Sequence, residues 1–410
     1  MAQQRCGTAV YPTFQRGVVY EDEAQFESWM KEKQSYQKSK GAILRQEATT
    51  YQVQVVVHVI HNGESLGQET NIPDAQILSQ LEVLNKDFNR LNADVGNTPA
   101  EFQSRAGSLS IEFVLAKQDP EGLPSSGINR VRGSKSGWTI NDNSQLKSLS
   151  YWPSLHYLNI WVCNLTDYLG FTQFPVSTLP GVENSSTNAL TDGIIISYKT
   201  FGSSDAGNFN LHPSYNKGRT TTHEMGHFFG LRHLWGEKED CTGTDYVDDT
   251  PPQQRAVEGC PSHPQKQCPA NNPVNTMFQN YMDFTDDNCQ NLFTKGQVER
   301  MKIVLENSPR RASLLLPLQP APETFTFEKL FSPNGDGINE YWKWGNYSNY
   351  EGCRLIIFNR AGKKVYEMSS YDGSWDGRTS SGQVLEEEAY YFILKCPGKK
   401  DITDGVRIIR

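Results

Sequence analysis

The sequence predicts an α+β (α/β-layered) unit, a twisted mixed sheet with a histidine-bearing helix, followed by a C-terminal all-β sandwich. Three observations predict it. A strand, a long helix and further strands succeed one another between residues 53 and 198, as when a helix covers a sheet. A second helical stretch near position 223 concentrates histidines. Beyond a proline-rich stretch, short β-rich runs alternate with Gly, Asn, Asp and Ser turns and no helical pattern returns.

Residues 1 to about 45 are polar and weakly periodic, ending in the basic stretch KSKGAILRQ. VQVVVHVI (53–60) is a β-branched run and reads as a strand. In DAQILSQLEVLNKDFNRLN (74–92), Ile77, Leu81, Leu84, Phe88 and Leu91 recur at helical spacing, and Pro73 suits a helix start. SIEFVLA (110–116), YLNIWVC (157–163) and GIIISY (193–198) are further strands. QVERMKIVLENS (297–308) is a helix that closes the unit. PLQPAPET (317–324), with three prolines in eight residues, is a linker. CRLIIFN (353–359) and AYYFILKC (389–396) are strands of the second unit.

A chain of 410 residues suits two or three domains with their own cores. A net charge of -8 argues against nucleic acid or an anionic membrane surface as partner. No run of 18 apolar residues is present, so no transmembrane segment is expected. The polar start after Met1 is read as a mature secreted N-terminus whose signal peptide is missing, preceded by an added Met. Cys241, Cys260, Cys268 and Cys289 fall within 49 residues, a density that fits disulfides in an oxidising compartment better than a zinc cluster, because no C-x2-C pair occurs. Cys353 and Cys396 are candidates for a third bridge. Cys163 ends an apolar run and reads as a buried strand thiol.

GRTTTHEMGHFFGLRHLWG (218–236) carries the chemistry. On a helix, His223 and His227 lie at i and i+4 and leave one face together. Gly230 can turn left-handed, end the helix and bring back His233. Three neutral nitrogens leave a fourth tetrahedral position open, the mark of a catalytic zinc. Glu224, beside the first ligand, is placed to activate a zinc-bound water whose pKa falls from about 15.7 toward roughly 7. The bland alternative, histidines on a solvated helix by accident, is weak against the complete HExxHxxGxxH.

This extended motif is that of the metzincin metalloproteases, which require a downstream methionine turn; NYMDF (280–284) supplies Met282. Around it, YLNIWVC, GFTQFP, TDGIIIS, DCTGTDYVDDTP and NYMDFTDDNC follow in order and resemble the pappalysin family, with its ulilysin/mirolysin-like members, over roughly residues 50 to 310. The resemblance implies a metalloendopeptidase acting on proteins or peptides, and disulfides Cys241–Cys268 and Cys260–Cys289. It also implies calcium near Asp245, Asp248, Asp249 and Thr250, hard oxygen ligands whose alternative is a solvated acidic loop. Asp287, five residues after Met282, would floor the S1′ pocket and select Arg after the scissile bond; otherwise it caps the turn beside Cys289. Phe284 departs from a tyrosine usual among relatives, which puts an auxiliary hydroxyl in doubt.

LFSPNGDGINEYWKW, CRLIIFNRAGKKVYE, YDGSWDGRTSSG and the terminal DGVRIIR resemble the gliding-motility-associated type B sorting domain of type IX secretion. It departs at LEEEAYYF. The implied partner is the type IX machinery and the implied destination the cell surface or medium; an immunoglobulin-like spacer is the plainer alternative. SPNGDGIN fits a calcium loop, and an Asn/Gly turn explains it as well. Pappalysin-like precursors carry a cysteine switch, and Arg5-Cys6-Gly7-Thr8 offers one: a Cys6 thiolate in the open zinc position expels the catalytic water. Rival readings of Cys6 are a disulfide to Cys163 or an unstructured thiol; a lipid anchor fails, because that cysteine would have to follow signal cleavage directly. Activation then removes residues 1–44, with Leu44–Arg45 the expected autolytic bond and Arg310 or Arg311 a second.

The expected organisation is an inhibitory pro-segment (1–45), a metzincin catalytic domain (46–315), a linker (316–324) and a β-sandwich sorting domain (325–410), in a monomer binding Zn2+ and Ca2+. The rival is a proteolytically weak, zinc-containing surface binding protein.

Overall fold

In the computed structural model the described residues are 3–8, 23–40, 50–178, 189–268, 274–316, 327–344, 350, 352–396 and 401–410. The linker prolines and the Leu44–Arg45 bond lie outside them. The chain divides into two compact units, Met1–Val114 with Gly133–Pro317, and Leu115–Arg132 with Leu318–Arg410.

The first unit is built on a mixed sheet. Its strands are β1 (Gln4–Cys6), β2 (Tyr51–His61), β3 (Ile111–Leu115), β5 (Leu158–Cys163), β6 (Tyr168–Thr172) and β7 (Ile194–Ser197), in the order β1-β6-β7-β5-β2-β3. β5 runs parallel to β2 and β7, β6 is antiparallel to β7, and β1 adds to β6 in parallel. The central strands are buried on both faces, which is why β5 and β7 read as continuous apolar runs without alternation.

The helices are α1 (Glu23–Lys40), α2 (Asp74–Phe88), α3 (Ala100–Gln103), α4 (Asn143–Lys147), α5 (Arg219–Phe228) and α6 (Lys295–Asn307). α2 starts at Pro73 as expected but stops at Phe88 rather than residue 92, because Arg90 takes a left-handed φ of 53°. α6 opens with a capping box in which Thr294 and Gln297 satisfy each other's backbone N–H groups. α1 is a correction: residues expected to be weakly periodic form an 18-residue helix. Its periodic signal is confined to Phe26, Trp29 and Met30, which pack against Ile303, Val304 and Phe174.

The last turn of the unit closes on itself electrostatically. Arg311, 1% exposed, binds both carboxylate oxygens of Asp192 at 2.8 and 3.0 Å. Burial pushes the Asp192 carboxyl up, but the Arg311 and Arg310 guanidinium groups outweigh it and hold the group below its ordinary range. Removing one partner of such a buried pair costs about 3–5 kcal/mol. Burial of Arg311 argues against the expected autolysis at that residue, whereas Arg310 keeps 12% of its side chain exposed.

In the second unit, β4 (Ile128–Arg132) belongs to the inserted stretch, and β8 (Leu330–Phe331), β9 (Arg354–Phe358), β10 (Lys364–Met368), β11 (Ala389–Lys395) and β12 (Ile402–Ile408) form a sheet in the order β10-β9-β11-β12-β8. Trp342, Trp344, Tyr371 and Trp375 pack with Leu355, Ile357 and Phe392 in its core. Among the described residues this is one five-stranded sheet rather than the two sheets of a sandwich. Cys353 and Cys396 are bonded across it.

Candidate active site

The histidine helix is held at both ends by side chains remote in sequence. At its start, Gln80 of α2 donates to Gly218 O (3.0 Å), Thr222 donates to Asp87 (2.8 Å), and Arg219 pairs with Asp87 (3.0 Å) and Asp94 (3.2 Å). At its end, Arg311 Nε donates to Phe228 O (2.8 Å) and Arg300 Nε to Gly230 O (2.7 Å). Gly230 has the expected left-handed φ, 86°, and a Cβ there would lie 2.8 Å from Val304 Cγ2. The turn therefore needs glycine for its conformation and for its space.

This turn gathers the three imidazoles. His223 Nδ1 donates to Tyr281 O and His227 Nδ1 to Leu231 O, both at 2.7 Å, and His233 Nδ1 to the Glu237 carboxylate. Carbonyls and carboxylates only accept, so each ring keeps its proton on Nδ1 and presents an Nε2 lone pair. The three Nε2 atoms converge at 3.0, 3.1 and 3.2 Å from one another. Three lone pairs cannot hydrogen-bond to one another; they fit a cation. Their spacing is close to the edge, about 3.3 Å, of a tetrahedron with metal–nitrogen bonds near 2.0–2.1 Å. Burial, reinforced by the neighbouring rings, drives the His223 and His227 pKa values far down, so both stay neutral.

A sulfur lies beside the three nitrogens. Cys6 Sγ and the three histidine nitrogens lie within 4.8 Å of one another, all on buried residues. Cys6 reaches them because β1 lies along β6, with Cys6 paired to Gly170 and Gly7 N–H donating to Gly170 O at 3.0 Å. Gly7 is tightly enclosed: a Cβ there would meet Ile140, Tyr168 and Phe171 at 3.0–3.2 Å. Thr8 Oγ1 donates to Glu224 Oε2 at 2.8 Å, while Glu224 Oε1 is buried without a partner. Burial raises the Glu224 pKa to about 7 against the opposing pull of Cys6, Thr8 and Arg5. Cys6 and Cys163 are both buried and unbonded, which removes a disulfide between them.

Asp287 lies at the helix start. Its Oδ2 accepts the Lys217 and Arg219 backbone N–H groups (2.9 and 3.1 Å), and its Oδ1 faces Arg5, whose two terminal nitrogens lie at 3.3 Å. Gln290 accepts from the same guanidinium at 3.1 Å and Tyr215 stacks on it, 4.2 Å from ring centre to Cζ. Met282 is fully buried beneath the helix: a Cβ on Gly226 would stand 2.5 Å from its sulfur, so only glycine fits between the two helix histidines. Phe284 packs edge-on to His233, with ring centres 4.8 Å apart. Disulfides join Cys241 to Cys268 and Cys260 to Cys289, the expected pairing.

The acidic loop is less concentrated than expected. Asp245 Oδ1 accepts from Thr250 (2.9 Å) and Val247 N (3.1 Å), Asp249 Oδ2 accepts from Gly296 N (2.9 Å), and Asp248 is exposed. Among the described residues only Cys6 and the three histidines form a cluster of three or more such groups close enough to share one ion.

Several contributors escaped the sequence reading. Glu237 orients His233 and stands four residues after it, a spacing that could have suggested it. Trp235 stacks on His233 with ring centres 4.4 Å apart. Thr8 sits in the quoted RCGT stretch, but nothing local tied it to Glu224. Gln290 and Tyr215 had no sequence signal.

Comparisons with known proteins agree with this geometry. Residues 141–306 match the pregnancy-associated plasma protein-A peptidase family and residues 325–407 the type IX secretion signal domain. An extracellular metalloprotease of Arthroderma otae is 30% identical over 252 residues, 61% of this chain and 76% of its own length. Mature mirolysin of Tannerella forsythia, solved in complex with a cleaved peptide, is 44% identical and superposes with a TM-score of 0.59 over 66% of this chain and 97% of that one. A promirolysin mutant of the same organism is 39% identical, with a TM-score of 0.60 over 76% and 97% of the two chains.

Proposed function

Because the chain belongs to the pregnancy-associated plasma protein-A family of metalloproteases, the pappalysins, we propose that it is a zinc endopeptidase kept latent by its own N-terminal segment. It is a metalloendopeptidase of the metzincin fold with a type IX secretion signal domain, and its place is outside the cell or at its surface. Among the described residues no helix is long and apolar enough to cross a membrane. The proposed organisation is a pro-segment to residue 45, a catalytic domain, and a sorting domain built on the five-stranded sheet.

The observation that carries the reading is the convergence of three histidine Nε2 atoms with one cysteine sulfur. His223, His227 and His233 would hold the zinc, and Cys6 would be its fourth ligand in the latent form. Zinc held there supplies Lewis acidity toward a scissile carbonyl and lowers the pKa of water toward neutrality. Glu224 acts as general base and then returns the proton to the leaving amine. In the latent form Thr8 caps the carboxylate that performs them.

Asp287 is proposed as the floor of the S1′ pocket, selecting arginine after the scissile bond. Support comes from Arg5, a basic side chain already seated on its Oδ1. Asp287→Asn keeps an acceptor for the backbone but removes the charge. It should lower kcat/KM about 10–100-fold for peptides with Arg after the cut, the worth of a charge-assisted bond, and spare those with norleucine there. Equal losses on both would sink the assignment. Calcium at Asp245, Asp248, Asp249 and Thr250 is proposed on narrower support, the buried and unpartnered Asp245 Oδ2 and Asp249 Oδ1.

The whole reading is tested by incubating the purified chain with and without a zinc chelator and sequencing new N-termini. A new terminus at Arg45 that the chelator suppresses is expected. A chain that never trims itself, cuts no Arg-containing peptide and ignores the chelator is not this enzyme.

A further inference from the structure

The N-terminal segment meets the protease unit a second time, at α1. There Glu27, 4% exposed, receives both terminal nitrogens of Arg300 at 2.6 and 2.7 Å and Arg232 Nε at 3.1 Å. Phe26, Trp29 and Met30 fill an apolar groove on Ile303, Val304 and Phe174, and Trp29 Nε1 donates to Thr178 at 2.9 Å. The groove brings two guanidinium groups and the helix one buried carboxylate, so an occupant without an acid would leave both arginines unpaired. Arg300 also holds Gly230 O, which ties the groove to the turn that presents His233.

We propose that this groove is a docking site separate from the metal cleft, and that its occupant in the processed enzyme is the excised pro-segment, held through Glu27. The inference rests on the reading of residues 1–44 as a pro-segment. The contacts just named fall on residues 26–30 and those of the first strand on residues 4–8, all N-terminal to the expected cut. Cleavage at Leu44–Arg45 therefore breaks the chain and leaves both sets of contacts whole. The strand at the cleft and the helix in the groove are joined covalently, so each keeps the other at high local concentration, a gain of about 10²–10⁴ in avidity. Latency then ends when the fragment leaves or is cut between its two anchors, later than the first cleavage.

The test uses mature enzyme separated from its pro-segment and peptides added in trans. Peptide 1–44 should inhibit at a concentration about 10²-fold or more below that of peptide 1–22, which lacks α1. Glu27→Gln in peptide 1–44 should weaken inhibition about 30-fold or more, the range for breaking one partner of a buried charge pair. In the autolysed full chain, the cut fragment should co-elute with the enzyme, and Glu27→Gln should release it. Equal inhibition by peptides 1–44, 1–22 and the Glu27→Gln variant would overturn the docking site. A different failure marks the underlying reading: if peptide 1–22 never inhibits and Cys6→Ala in peptide 1–44 changes nothing, the cleft anchor is wrong, while a Glu27 effect would keep the groove.

Discussion

Glu224→Gln is expected to yield a folded, metal-containing protein whose kcat/KM on an Arg-containing peptide has fallen by about 10²–10⁴-fold, the usual range for a general acid–base group. The substitution keeps the size of the side chain and an oxygen to accept from Thr8, so the latent fold should form. It removes the only carboxylate that adjoins a histidine of the cluster within the helix itself. The three imidazoles, oriented by Tyr281 O, Leu231 O and Glu237, do not depend on it. Metal content measured alongside activity should therefore match the unaltered chain. Activity within tenfold of that chain at full metal occupancy would remove Glu224 from its role.

The second large effect is expected on latency. Cys6→Ala should speed the appearance of the Arg45 terminus by about 10²-fold, the lower end of what losing one of two linked anchors removes. The loss should be partial, because Arg5 on Asp287, Thr8 on Glu224 and the α1 groove all survive it. Following N-termini and peptide hydrolysis from the moment of purification checks this. Identical time courses for the two chains would show that the cysteine does not guard the site. A Cys6 sulfur 2.3 Å from bound zinc would establish the contact directly.

The candidate site was legible because its histidines are local: two one turn apart, a glycine to reverse the chain, and a third soon after. Met282 was legible only through its distance from that motif, since a lone methionine carries no signal. Boundaries were less readable. α2 stops four residues early because Asn89 and Arg90 leave helical geometry, which apolar spacing up to Leu91 conceals. α1 was missed since only Phe26, Trp29 and Met30 of its eighteen residues form an apolar face, a weak pattern; its stability comes from the groove it fills and the arginines opposite Glu27. The clamps on the histidine helix were unreadable for a different reason. Asp87, Arg300 and Arg311 reach the helix or the turn after it across 135, 70 and 83 residues of sequence, and only the fold brings them together.

Those clamps also fix an order of manufacture. The carbonyls that end the histidine helix, Phe228 O and Gly230 O, are gripped by Arg311 and Arg300. A ribosome that has already released all three histidines has still to synthesise some seventy to eighty residues before the second of these arginines emerges. Until then the helix end is ungripped, while the N-terminal cysteine has been waiting since the first moments of synthesis. If Cys6 guards the site as proposed, the guard is made before the thing it guards, because residue 6 precedes all three histidines and both arginines in synthesis.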